Sequence, residues 1–240
     1  MQLVPVLASG LLMGKTPMEL FVVGGPIMWP MIFLSFVAST VVIERTIFAI
    51  REKSRRKASD VKKLMEMAHN GDLDGAAEFG KNSSDFIARI LGEALSHRSG
   101  SMEDAFSRAA SQELTRYSQG LAVMDTAITA APLLGLLGTV TGMMNSFGKI
   151  EDMSQAGTSL TAGIAEALVA TMCGLFIAVT SLIPYNYLNS RLEEARREVD
   201  EAGSTLELTL RHVGLNVDGL QVGSDDSGEA PQGKSKPARA

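Results

Sequence analysis

Thr126-Ala-Ile-Thr-Ala-Ala-Pro-Leu-Leu-Gly-Leu-Leu-Gly-Thr-Val-Thr-Gly-Met-Met-Asn-Ser-Phe-Gly148 decides the fold: 23 consecutive positions carry no charged residue. About 20 such residues in a helix cross the hydrocarbon core of a bilayer. Two further runs match it, Leu20 to Ile43 and Ala167 to Ser190, each uncharged over 24 positions. The whole chain has 240 residues, 45% hydrophobic and 20% charged, with a net charge of −5. Those totals are ordinary for a globular protein. Their uneven distribution excludes a single water-soluble domain with one mixed surface. The predicted class is all-α, a polytopic membrane protein with transmembrane helices at 19–44, 126–148 and 161–190.

Charge sets the expected topology. Arg45, Arg51, Lys53, Arg55, Arg56 and Lys57 follow the first span, whereas only Lys15 precedes it. Basic residues favour the cytoplasmic side, which places the N-terminus outside and the C-terminus inside. The connector 149–160 has one basic residue, Lys149, as an outer loop should. Arg191, Arg196 and Arg197 follow the third span on the inner side. Trp29, between Pro26 and Pro30, suits the outer interface, and Tyr185 and Tyr187 suit the inner one. Residues 1–18 are apolar up to Gly14 but lack the basic start of a signal peptide. They are expected to stay as a periplasmic segment.

Residues 45–125 hold 13 Lys and Arg against 12 Asp and Glu, a solvated composition. Val61, Leu64, Met65 and Ala68 repeat at helical spacing, and Asn70-Gly71 provides a C-cap. Phe86, Ile87, Ile90, Leu91, Ala94 and Leu95 repeat likewise. Ser101-Met-Glu-Asp104 resembles a capping box. The helix it opens is expected to run straight into the second span, with Gly120 its weak point. The block is predicted to be a helical cytoplasmic domain. A cytoplasmic helix at 191–213 and a disordered tail at 214–240, rich in Gly, Ser, Asp and Lys, complete the chain. The single cysteine, Cys173, excludes an intrachain disulfide and any cysteine-based metal site. No cofactor signature is present, and the acidic balance argues against nucleic acid as a partner.

Spans two and three are dense in small and hydroxyl residues. Gly135, Gly138, Gly142, Gly163 and Gly174 let helix backbones approach closely, as in Gly138-x-x-x-Gly142, a pattern that packing alone explains. Glu166 is the one ionisable residue inside the third span. A carboxylate there costs roughly 2.5 kcal/mol or more by insertion scales. It either faces a bundle interior or hydrated path, or snorkels to the outer interface about 7.5 Å away. Thr139 and Thr171 both fall about 14–15 Å below the expected outer ends of their spans, near mid-bilayer. They either form one polar level in an oligomer or spend their hydroxyls on carbonyls of their own helices. Glu166 and Thr171, five residues apart, point about 140° from each other, so a path using both passes between helices.

At these residues the chain resembles a known family. Ala131-Pro-Leu-Leu-Gly-Leu-Leu-Gly-Thr-Val-Thr-Gly-Met-Met-Asn-Ser-Phe147 and Gly163-Ile-Ala-Glu-Ala-Leu-Val-Ala-Thr-Met-Cys-Gly-Leu175 are similar to the second- and third-span motifs of the ExbB/TolQ/MotA proton-channel proteins. Gly24-Gly-Pro-Ile-Met-Trp-Pro30 and Ile43-Glu-Arg45 are similar to the first span, and the likeness covers about 20–200. The ExbB/TolQ branch fits better than MotA, which has four spans and a larger cytoplasmic domain. The resemblance implies last spans that extend well into the cytoplasm of a bacterial inner-membrane protein. It implies a homo-oligomeric ring, five copies, around two copies of an ExbD/TolR-like single-span partner whose membrane Asp carries protons. It also implies that Thr139 and Thr171 face the pore and that Glu166 is the family's third-span glutamate. Proton flow would turn the ring, and force would pass to a TonB/TolA-like envelope protein. TonB-type uptake, Tol-type envelope maintenance and gliding or secretion motors all remain open.

Energetics agree. One charge falling through 100 mV yields about 2.3 kcal/mol. Between the ends of its spans the chain offers a single carboxyl, Glu166, so a complete relay calls for a second chain. The competing class is an oligomeric scaffold or simple ion channel without motor activity. An intramembrane hydrolase is set aside, because His69, His97 and His212 lie outside the spans and no span holds a Ser/His couple.

Overall fold

A computed structural model describes residues 17–98, 101–148, 156–214 and 220. Residues 1–16 of the expected periplasmic segment 1–18, most of the expected outer connector and nearly all of the expected tail lie outside the described residues, while Pro17 and Met18 open the first helix. Among the described residues every regular element is an α-helix: α1 (Pro17–Val23), α2 (Met28–Arg55), α3 (Ala58–His69), α4 (Leu73–Asn82), α5 (Phe86–Ser96), α6 (Met102–Ser118), α7 (Leu121–Phe147) and α8 (Ala156–His212). Three stretches are long and apolar enough to cross a bilayer: Met28–Arg55, Met102–Phe147 and Gly163–His212. The chain divides into two units, one of residues 1–54 and 117–192, the other of residues 55–116 and 193–240.

The first unit contains α1, α2, α7 and the start of α8. The helix of the first span begins and ends later than the boundaries 19–44. Gly24-Gly25-Pro26 interrupts the chain before it, with Gly25 at φ +70°. The Met28 amide donates to the Gly25 carbonyl at 3.1 Å, closing a turn with Pro26 at its second position. No breaker follows Glu44, so α2 continues through the basic cluster to Arg55. Its outward face is strongly apolar, with Trp29, Phe33 and Phe36 each about 70% exposed.

The expected uninterrupted helix from Ser101 into the second span is not found. α6 ends at Ser118, and α7 starts after Gly120, whose φ is +78°. Tertiary packing sets this break. A methyl group on Gly120 would lie 2.9 Å from Val41 Cγ1 and 3.1 Å from Arg45 Nε. Arg45 is buried and donates to Gln119 Oε1 at 3.3 Å, while Tyr117 meets the Phe48 ring edge-on. α8 does the opposite and merges the expected third span and inner helix into 57 continuous residues. At 1.5 Å per residue it is about 85 Å long, far more than a bilayer core requires.

The second unit contains α3, α4, α5, most of α6 and the end of α8. Phe86, Ile90, Leu91, Phe106 and Leu206 are fully buried in its core. α3 ends in the Schellman pattern: Gly71, at φ +82°, donates to the Ala68 carbonyl, and the Asp72 amide donates to Met67. α5 opens on Asp85, whose carboxylate accepts from the Ile87 and Ala88 amides at 2.9 and 3.4 Å. The same buried carboxylate accepts from Arg56 Nη1 at 2.5 Å and from the Lys57 amide at 2.8 Å. Arg56 also reaches Glu198 on α8 and lies over the Phe86 ring. Burial pulls the Arg56 guanidinium toward neutrality, but Asp85 and Glu198 outweigh it and hold its pKa above the ordinary value. At the start of α6 the Ser101 hydroxyl bonds the Asp104 carboxylate itself, unlike the reciprocal backbone bonds of a capping box. Within the expected tail, Leu220 is fully buried, with its carbonyl against Gly203.

Candidate ion-pathway site

α7 and α8 run antiparallel against each other along a seam of small residues. The buried stripe of α7 repeats every three or four residues through Ala127, Ala131, Gly135, Gly138, Gly142 and Ser146. The facing stripe of α8 includes Gly163, Ala167, Ala170, Gly174 and Ala178. All five glycines singled out in the sequence lie in this seam. A methyl group on Gly174 would lie 2.5 Å from the Ala131 carbonyl oxygen, and one on Gly135 would lie 3.0 Å from Thr171 Cα. One on Gly142 would lie 3.2 Å from the Gly163 carbonyl oxygen, and one on Gly163 would collide with the Ser146 hydroxyl. Gly138 meets Ala170 and, through Ile27, the turn before α2. The backbones are therefore nearly in contact, as lipid-facing bundles require when no hydrophobic force drives their helices together.

The two threonines differ. Thr171 donates across the seam to the Gly135 carbonyl at 3.2 Å. Thr139 donates within its own helix, to Leu136 at 2.6 Å. They are also not on one level within the protomer. Thr171 pairs with Gly135, which places Thr139 one helical turn, about 6 Å, nearer the Phe147 end of α7. The sequence estimate measured Thr171 from Thr161, but α8 already starts at Ala156.

Glu166 sits near the Gly142 level, its Cγ 3.5 Å from where a Gly142 methyl would be. It is partly exposed, and among the described residues it makes no hydrogen bond or ion pair. Its carboxyl group lies over Gly25, close enough that a methyl there would be 2.9 Å from Glu166 Cδ. Glu166 and Thr171 thus address different surroundings, the first the turn before α2 and the second the α7 backbone. The region thus holds a carboxyl and, apart from it, a hydroxyl on a backbone carbonyl, all in apolar helices, and polar groups set in such helices are the kind that mark ion pathways.

Sequence reasoning attached no site role to Gly25. The signal was present in the Gly-Pro dipeptide, which marks a turn, but not in anything that says what the turn touches. Asp85 was missed too, although an Asp directly before an apolar helical run is an N-cap signal.

Residues 82–201 match the MotA/TolQ/ExbB proton channel family, and this stretch contains the whole α7–α8 seam. The chain belongs to the MotA/TolQ/ExbB proton channel family. It is 33% identical over 215 residues to the putative biopolymer transport protein ExbB-like 1 of Synechocystis, covering 85% of this chain and 84% of that one. It is 42% identical over 86 residues to the Tol-Pal system protein TolQ of Pseudomonas aeruginosa, covering 35% and 37% of the two chains. It is 33% identical over 100 residues to the biopolymer transport protein ExbB of Neisseria gonorrhoeae, covering 41% and 46%. As a member of the MotA/TolQ/ExbB family with three apolar helices of spanning length, the protein is a membrane protein.

Proposed function

We propose that this chain is the ring-forming subunit of an inner-membrane motor driven by the proton-motive force, and that it catalyses no reaction of its own. Five copies surround two copies of an ExbD/TolR-like single-span partner, and ion flow through the interface does mechanical work on the envelope through a TonB/TolA-like protein. The N-terminus is outside and the C-terminus inside. Residues 1–18 and 149–160 are periplasmic, and 45–125 and 191–213 are cytoplasmic. Glu166 is the chain's own carrier group, with Thr139 and Thr171 lining the path and the five seam glycines setting the α7–α8 distance.

The observation that carries this reading is Glu166, a carboxyl without a described partner, placed among apolar helices beside a seam too tight for side chains. A carboxyl that served packing alone would be bonded or replaced, because its burial in hydrocarbon is costly. The relatives named for biopolymer transport and for the Tol-Pal system support work on the envelope. The test is Glu166→Ala and Thr171→Ala in the complex extracted from its own membranes. Both variants are expected to keep the ring and partner by native mass spectrometry and to lose proton-driven output. Wild-type output from both, undiminished by a protonophore, would replace the motor with a scaffold.

A further inference from the structure

The turn between α1 and α2 meets Glu166 in an unusual way. Gly25 has φ +70°, a region that disfavours any residue with a Cβ. Its Cα faces the Glu166 side chain directly. A Cβ there would be 2.9 Å from Cδ and 3.4 Å from Cγ of Glu166, and nearer still to Oε1. All three nearest atoms to that point belong to this one side chain. The turn is itself fixed. Its Gly25 carbonyl accepts from the Met28 amide at 3.1 Å, Pro26 presets the next φ, and Ile27 packs on Gly138 in α7. On its other side Glu166 rests beside Gly142. The side chain is therefore bounded by two glycines on two different elements, its carboxyl by Gly25 and its Cγ by Gly142, and no hydrogen bond among the described residues orients it.

We infer that Gly25 is a positioning residue for the ion pathway: its missing side chain leaves the space the Glu166 carboxyl occupies, and the rigid Gly-Pro turn holds the group in place beside the α7–α8 seam. The inference rests on the reading of Glu166 as the carrier group. Gly25 touches no ion itself. It acts through the shape of the wall behind Glu166, because backbone, unlike a flexible side chain, does not yield when the carboxyl moves. Gly25→Ala pushes the carboxyl away from its place.

The experiment compares Gly25→Ala, Glu166→Asp, Glu166→Ala and the double variant Gly25→Ala/Glu166→Asp. Each is purified as the full complex and reconstituted in liposomes. Assembly is read by native mass spectrometry and proton flux by a trapped pH dye under an imposed potential. Gly25→Ala is expected to assemble and to lose flux by about a hundredfold, the scale of a misplaced reacting group. Aspartate is one methylene shorter and withdraws from the new methyl, so the double variant should recover to the level of Glu166→Asp alone. A residue needed only for the turn would not show that rescue. Full flux in Gly25→Ala while Glu166→Ala is inactive overturns the role of Gly25 and leaves that of Glu166 intact. A double variant no better than Gly25→Ala also overturns it. Full flux in Glu166→Ala overturns the carrier reading itself, and this inference with it. If Gly25→Ala does not assemble, Gly25→Ala/Glu166→Ala decides: recovered assembly locates the clash at the carboxyl and supports the role, and failed assembly overturns it.

Discussion

The two units of this chain solve the same problem, holding helices together, in opposite ways. In the unit of α1, α2, α7 and the start of α8, the contact surface is made of Gly, Ala and Ser, and backbone meets backbone. In the unit of α3 to α6 and the end of α8, the contact surface is made of Phe, Ile and Leu, fully buried, with an ionic cluster at its edge. The difference follows from the solvent each unit is built for. In water, burying a large apolar side chain contributes about 1.5–3 kcal/mol. In a bilayer that gain vanishes, since lipid tails are as apolar as leucine, and stability comes from close approach. The first unit should therefore be broken by adding atoms, and the second by removing them.

The largest effect is expected for Gly174→Leu. The side chain would meet the Ala131 carbonyl oxygen and Gly135 Cα, both backbone atoms, so no rotamer change can relieve it. Overpacking typically costs about 1–3 kcal/mol, and a clash with backbone on two sides puts this variant at or above the top of that range. Unfolding in mixed micelles should show α7 and α8 separating at lower denaturant, and a wild-type midpoint would refute the tight seam. The mirror experiment in the other unit is Asp85→Ala. It removes the N-cap of α5 and leaves Arg56 with Glu198 alone. Breaking a buried pair costs about 3–5 kcal/mol, and the lower end applies because Arg56 is 28% exposed and keeps one partner. Faster hydrogen exchange confined to α3–α5 is the expected readout. Loss of protection spread equally over α7 would contradict the division into two units.

These two sites also show what the sequence could and could not tell. The uncharged runs and the glycine pattern follow from solvent physics alone, so the three apolar helices and the small-residue character of two of them were legible. The break at Gly120 was not, because it depends on Arg45 and Val41, about 75 residues away in the chain. Helix propensity makes Gly120 a weak point but does not decide whether the helix breaks there. The same holds at the site. Glu166 stood out by its charge among apolar neighbours. The setting of Gly25, and the one-turn offset of Thr139 from Thr171, required the pairing of α7 with α8, which spacing counted from span ends misjudged.

Gly120→Ala gives a smaller effect and a direct check on that account. An L-residue at φ +78° costs about 1–2 kcal/mol, with crowding against Val41 added. The variant should favour an unbroken helix from α6 into α7. Slower amide exchange across residues 119–123 would report the joined helix, and unchanged exchange would show that packing around Arg45 alone imposes the break.

The smallest expected effect separates the two threonines. Thr171→Val removes a hydroxyl that crosses the seam to the Gly135 carbonyl, while Thr139→Val removes one that serves only its own helix. Hydrogen bonds between membrane helices average about 0.6 kcal/mol, so Thr171→Val should cost that much and Thr139→Val close to nothing. Valine keeps the shape of threonine, so any change reports the hydroxyl. The comparison gains force when flux is measured beside stability. Thr171 holds the seam and, on the proposed reading, lines the path, so its loss should lower both. The Thr139 hydroxyl bonds its own helix and not the facing one, so a fall in flux with unchanged stability would isolate that hydroxyl as part of the path. A seam that weakens equally in both variants would mean that small-residue packing, and not the cross-helix bond, accounts for everything the threonines do.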